Sequence, residues 1–148
     1  MKAHNFELES PEGKVKLSDD KGRWVALYFY PKDDTPGCTI EAKDFTRLAK
    51  EFEERNAVIL GVSIDTCESH TSFSRKHGLN VRLLSDPDAK VQKLYGAWRD
   101  KVVNGRPMVG TLRTTFLIDP QGSIAKEWRN VKAEGHAQDV LDALDGMK

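Results

Sequence analysis

The first residues that carry a pattern are 5–17 (NFELESPEGKVKL), two short runs of alternating apolar and polar positions around Pro11-Glu12-Gly13-Lys14. Period-two alternation on either side of a Pro/Gly turn predicts a β-hairpin. Residues 24–30 (WVALYFY) are apolar throughout and rich in aromatic side chains, as a strand covered on both faces is. Pro31 ends that strand, because a central strand cannot spare an N–H. After the loop KDDTPG, Phe45, Leu48, Ala49 and Phe52 recur at helical spacing, which predicts a helix over 38–55. Residues 57–64 (AVILGVSI) predict a second buried strand, and residues 68–77 a helix stopped by Gly78. A short strand is expected at 81–84, then a helix opened by Asp86-Pro87 and ending near Tyr95-Gly96. Residues 97–110 show no period and read as an irregular excursion. Residues 114–118 and 124–128 predict a hairpin around Asp119-Pro120-Gln121-Gly122. Val140, Leu141 and Leu144 predict a last helix over 136–144. Strands alternating with helices give an α/β fold, a central mixed sheet flanked by helices with an N-terminal β-hairpin.

Composition narrows the function. With 148 residues the chain builds one core, so residues 1–148 are expected to form a single domain. The 23 Lys+Arg balance the 23 Asp+Glu, which leaves no basic excess to neutralise phosphates and argues against a nucleic-acid partner. The opening MKAHNFELES has no apolar core of a leader, and the longest apolar run, 24–30, is too short to span a membrane. Two cysteines make no disulfide framework. A soluble, cytoplasmic protein is expected.

The segment 30–41 (YPKDDTPGCTIE) carries the candidate chemistry. Cys38 sits where a buried strand has ended and a helix begins. Free backbone N–H groups and the positive end of the helix dipole favour a thiolate there. Pro36 and Gly37 shape the turn ahead of it, and the Thr35 hydroxyl can donate or accept. The competing reading is an inert cysteine buried as a small hydrophobe. Glu41, in the same first turn, suits the helix N-terminus whatever else it does. Cys67-x-x-His70 has half of a zinc spacing, but no second Cys/His pair matches it, so no metal site is expected. His4 and His136 read as surface or capping residues, and Trp24, Trp98 and Trp128 as core or pocket lining.

The loop P-x-x-x-T-x-x-C at Pro31, Thr35 and Cys38, within FYPKDDTPGCT, resembles the active-site signature of peroxiredoxins, most of all the bacterioferritin-comigratory-protein (PrxQ) group. Four further stretches resemble it in the same order: GVSIDTCESH, LLSDPDAKVQKLYGAW, GTLRTTFLIDPQG and WRNVKAEGHAQDVL, together covering nearly the whole chain. The resemblance implies a thioredoxin-like fold and a thiol peroxidase acting on hydrogen peroxide and organic hydroperoxides without metal, haem or flavin. It implies that Cys38 is the peroxidatic cysteine, that Thr35 and Pro31 form the loop around it, and that Arg113 is the arginine of a later strand. A guanidinium is always charged, so it stabilises both a thiolate and the charge that builds on a departing oxygen. Glu41 is a candidate to orient Arg113. The product is a sulfenic acid on Cys38, recycled by thioredoxin, glutaredoxin or a small thiol. A monomer is implied.

The chain departs from the group at the recycling step. Members carry a resolving cysteine five residues after the peroxidatic one, where Lys43 stands here, or on the helix at 68–77, where Ser74 stands. Cys67 is the other thiol, on the same sheet edge as Cys38, and is either a resolving residue or a packing residue. In the second case the enzyme is one-Cys and an outside thiol attacks directly. The group's Ala-Pro near the N-terminus is Ala3-His4 here. A C-x-x-C oxidoreductase lacks its second thiol, since Glu41 and Thr35 flank Cys38 at that spacing. A non-enzymatic redox sensor or thioredoxin-like interaction module is the remaining alternative.

Overall fold

The computed structural model describes residues 1–147. The N-terminal runs pair as β1 (Glu7–Ser10) and β2 (Gly13–Lys16), followed by a 3-10 turn at Leu17–Asp20. β3 (Trp24–Phe29), α1 (Pro36–Glu54), β4 (Ala57–Ser63), α2 (Cys67–His77) and β5 (Arg82–Ser85) come next. Then follow α3 (Lys90–Leu94), β6 (Trp98–Val103), β7 (Arg106–Thr111), β8 (Thr114–Ile118), β9 (Ile124–Arg129) and α4 (His136–Met147). The main sheet runs β2-β1-β5-β4-β3-β8-β9, with β3, β4 and β5 mutually parallel and every other pairing antiparallel. This is the thioredoxin-like arrangement, a mixed sheet with an N-terminal hairpin at one edge. No described helix is long and apolar enough to cross a membrane.

Alternate residues of β3 serve two apolar clusters. Ala26, Tyr28 and Tyr30 face α1, α2 and α4, while Val25, Leu27 and Phe29 face α3 and the 3-10 turn. That two-sided burial is why 24–30 reads as one continuous apolar run. Right-handed crossovers after β3 and β4 place α1 and α2 on the same face, where Phe45 stacks on Tyr28 with ring centroids 4.7 Å apart. Such aromatic pairs add roughly 0.5–1.5 kcal/mol beyond the area they bury. Gly61 makes room for them, since a Cβ there would lie 2.7 Å from the Tyr28 ring.

Three expectations change. Residues 97–110 are not irregular: β6 and β7 form an antiparallel hairpin whose tip, Asn104-Gly105, has positive φ at both positions (52° and 77°). Asn-Gly is the strongest short hairpin signal, and the charged residues beside it hide the alternation. The helix after Asp86-Pro87 starts later, at Lys90, because Ala89 is left-handed with φ 56°. Asp86 still caps it, its carboxylate accepting from the N–H groups of Val91 and Gln92 at 3.3 and 3.0 Å. His136 is buried rather than at the surface. Its Nε2 lies 2.7 Å from Thr115 Oγ1 and its ring sits edge-on to Phe45 and Trp128. Burial holds its pKa down at about 4, the Asp139 charge opposing and the Arg113 charge adding to the drop.

Candidate active site

β3 ends below a turn, and α1 begins above it with Thr35 as N-cap and Pro36 at the first helical position. Pro has no N–H to leave unpaired there. Helical hydrogen bonding begins with Thr39 N–H donating to the Thr35 carbonyl at 2.8 Å, so the N–H groups of Gly37 and Cys38 precede the ladder. The inward stripe of α1 is Cys38, Glu41, Ala42, Phe45, Leu48 and Phe52. Cys38 and Glu41 therefore lie one turn apart on one face, at the end nearest the carboxyl edge of β3.

Arg113 reaches both. It directly precedes β8, which pairs with β3 so that Thr114 lies opposite Phe29. Its Nη2 donates to Cys38 Sγ at 3.3 Å and its Nη1 to Glu41 Oε1 at 2.6 Å. Cys38 is 2% exposed and Glu41 fully enclosed. Burial disfavours the charge on Arg113, but Glu41 and Cys38 outweigh it and hold the guanidinium above its ordinary range. Glu41 is pushed up to about 7 by burial, with the Arg113 charge and hydrogen bond opposing and Asp44 adding a little. Its second oxygen, Oε2, has no hydrogen-bond partner among the described residues. A buried carboxyl with one oxygen unsatisfied gains from carrying a proton. Gly37 permits the close approach of Arg113, since a Cβ there would lie 3.2 Å from Nη2.

The remaining sequence candidates lie around this centre. Thr35 is half-buried, and its hydroxyl donates to the Lys32 carbonyl at 2.8 Å, leaving the oxygen lone pairs to accept. Pro31 is half-buried where β3 has ended. Cys67 opens α2, beyond β4, and both cysteines are free thiols. Burial pushes the Cys67 thiol up, and the carboxylates of Glu68, Glu9 and Glu12 push it further. These carboxylates place it beside the β1–β2 hairpin, whereas Cys38 faces the β8 side.

A polar network that the sequence did not reveal fixes the loop ahead of Cys38. Asp33 accepts from Tyr30 Oη at 2.6 Å and Ser69 Oγ at 2.8 Å, and its Oδ2 lies 2.7 Å from His70 Nδ1. The backbone N–H of Asp33 donates to Asp65 Oδ2 at 2.8 Å. His70 Nε2 lies 2.9 Å from the Leu84 carbonyl, so both ring nitrogens are engaged within the fold. The only sequence signal was polar residues clustered just past two buried strands. No local pattern pairs position 33 with position 70.

A cysteine at a helix start, an arginine on its sulfur and a buried carboxyl behind that arginine thus form one cluster at the carboxyl edge of the central strands. The sequence profile of the AhpC/TSA family matches residues 1–127. Peroxiredoxin Bcp of Bacillus subtilis is 46% identical over 148 residues, covering 99% of this chain and 94% of its own. The Bacterioferritin Comigratory Protein of Xanthomonas campestris superposes with a TM-score of 0.91 at 40% identity, over 96% of this chain and 91% of that one. A cysteine-to-serine variant of Xylella fastidiosa PrxQ gives 0.90 at 41% identity, over 97% and 89%. The chain therefore belongs to the AhpC/TSA family, and within it to the Bcp/PrxQ peroxiredoxins. It is an enzyme that reduces peroxide through a peroxidatic cysteine and is recycled by a thiol reductant.

Proposed function

We propose that Cys38 is the peroxidatic cysteine, that Arg113, Thr35 and Pro31 form its site, and that the oxidised sulfur is regenerated by an outside thiol. The observation that carries this reading is the Arg113 guanidinium, with one nitrogen on Cys38 Sγ at 3.3 Å and the other held by Glu41 at 2.6 Å. The Cys38 thiolate attacks one peroxide oxygen and the O–O bond breaks. Two electrons leave sulfur, and the other oxygen takes back from solvent the proton that the Cys38 thiol released on ionising and departs as water or an alcohol. The sulfur keeps the attacked oxygen as a sulfenic acid. Arg113 faces the charge throughout, in a site with little water to screen it. Thr35, its own proton spent on Lys32, accepts a hydrogen bond from the peroxide. Pro31 keeps water from the sulfur, and Glu41 orients Arg113.

Hydrogen peroxide and organic hydroperoxides are both substrates in this reading. The Xanthomonas campestris relative has alkyl peroxide reduction activity. The enzyme works as a cytoplasmic monomer. The reductant is a thioredoxin, a glutaredoxin or a small thiol, and the cycle is one-Cys. Lys43 and Ser74 occupy the two resolving positions of the group, and burial together with the carboxylates around Cys67 disfavours the thiolate that would have to attack. Intact mass spectrometry after one equivalent of hydrogen peroxide, with thiol labelling, tests this. A gain of one oxygen on Cys38 with Cys67 still free is expected. A loss of two protons with both thiols blocked would show a Cys38–Cys67 disulfide and overturn the one-Cys cycle.

A further inference from the structure

Arg113 offers one positive charge to two groups that can each carry a negative one. Its fork spans them, with Nη2 on Cys38 Sγ at 3.3 Å and Nη1 on Glu41 Oε1 at 2.6 Å. Both groups are closed off from solvent, Cys38 at 2% and Glu41 at 0% exposure, so water screens neither. Glu41 Oε2 is buried with no hydrogen-bond partner among the described residues, whereas an ionised carboxylate needs donors on both oxygens. The charges around the pair do not favour a second anion. On α1, the half-buried Asp44 pairs with Arg47 at 3.7 Å and opposes charge on Glu41. On β3, burial first and the Glu41 charge next hold the Tyr28 hydroxyl neutral, far above the ordinary phenol range. On α4, burial keeps His136, which feels the Arg113 charge, neutral above about pH 4. Neither Tyr28 nor His136 changes charge between about pH 6 and about pH 9.

We propose that Glu41 is a positioning residue that serves Cys38 only while it carries a proton: the neutral carboxyl still anchors Arg113 through its carbonyl oxygen and leaves the guanidinium charge to the sulfur and the departing peroxide oxygen. This rests on the reading of Cys38 as the peroxidatic cysteine. With both groups ionised, two negative charges divide one positive charge in a place closed to water, and the thiolate and the departing oxygen lose support. Cys38 and Glu41 therefore titrate as a pair. With two protons the sulfur is an inert thiol. With one, the carboxyl holds the proton while the thiolate reacts. With none, the guanidinium is divided. Burial raises Glu41 to about 7 against the pull of Arg113, and a thiolate on the other arm of the fork opposes its ionisation too. The Glu41 proton stays in place through the step, since the departing oxygen takes its own from solvent.

The test is the pH dependence of the reaction of the reduced protein with hydrogen peroxide, followed by rapid quenching and mass spectrometry as loss of alkylatable Cys38. In the wild type the rate constant is expected to pass through a maximum and to fall about tenfold by about pH 9, both limbs belonging to the pair. Glu41→Gln keeps an oxygen for Nη1 and cannot ionise. Its rate is expected to rise with pH to a plateau, and at about pH 9 to exceed the wild-type rate about tenfold. Infrared spectra of the wild type near neutral pH are expected to show a protonated-carboxyl band that the Glu41→Gln protein lacks. A wild-type rate that climbs to a plateau without falling overturns the proposal. So does a Glu41→Gln protein that keeps the alkaline fall, or that is slower than the wild type at every pH, because the carboxylate charge is then what serves Cys38. A wild-type Cys38 that hydrogen peroxide leaves untouched at every pH refutes the peroxidatic assignment itself, and the proposal with it.

Discussion

Glu41 offers a quantitative test of the charge arrangement around Cys38. The perturbation is Glu41→Gln, which keeps the size of the side chain and an oxygen for Arg113 Nη1 while removing the titratable proton. Burial raises the carboxyl from 4.5 to about 7 despite Arg113, so the folded state holds this proton more tightly than the unfolded chain does. Below pH 4.5 both states are protonated and the group costs nothing. Between 4.5 and about 7 the unfolded chain has released the proton and the folded one retains it, so stability falls as pH rises. Above about 7 the full penalty stands, on the order of 3 kcal/mol at about 1.4 kcal/mol per pH unit. The glutamine variant has no such slope. Urea unfolding of both proteins at pH 4.5 and pH 8 gives a double difference in which the other titrating groups cancel. The variant is expected to gain about 3 kcal/mol relative to the wild type over that interval. A flat difference, or one of opposite sign, would refute the argument that burial outweighs Arg113 at Glu41.

Other substitutions examine the centre from other sides. Cys38→Ser is expected to abolish peroxide consumption with any reductant, followed as loss of peroxide in the presence of dithiothreitol. Arg113→Ala is expected to slow the reaction with peroxide by about 10²–10³, the usual cost of deleting one preorganised donor, with circular dichroism unchanged. Gly37→Ala places a methyl 3.2 Å from Arg113 Nη2, so the guanidinium must give way by a few tenths of an ångström. Because Glu41 pins its other arm, the bond to Sγ lengthens; stopped-flow oxidation is expected to be about tenfold slower, and a wild-type rate would show the contact to be slack. Gly61→Ala drives a methyl into the Tyr28 ring and is expected to cost about 1–3 kcal/mol in urea unfolding, with the reaction at Cys38 intact.

The sheet was legible where residues satisfied a local rule. Both faces of β3 and β4 are covered, so their apolar runs are continuous, and Pro31 and Gly78 stand where strand and helix have to stop. The β6–β7 hairpin was missed because it stands clear of the body. With its outer positions exposed on both faces, charged residues stand among the apolar ones and mask the alternation, and Asn104-Gly105 is the remaining signal. The burial of His136 escapes local pattern for a related reason: it depends on Thr115 and Phe45, on other elements far back in the chain, and on Trp128 of β9.

Local pattern sets the order of the elements, β6 and β7 excepted, and puts Cys38 in the first turn of a helix, because strand runs, helical spacing and turn residues act over a few positions. The family resemblance added Arg113 as its partner. Tertiary structure decided what those residues became. Pairing of β8 with β3 delivers Arg113 to a sulfur 75 positions earlier, and burial raises Glu41 to about 7 against the pull of that arginine. Asp33, Ser69 and His70 meet over Tyr30 only once α2 is laid across the sheet. Charge, burial and hydrogen-bond distance are properties of neighbours in space, and the fold alone chooses those neighbours.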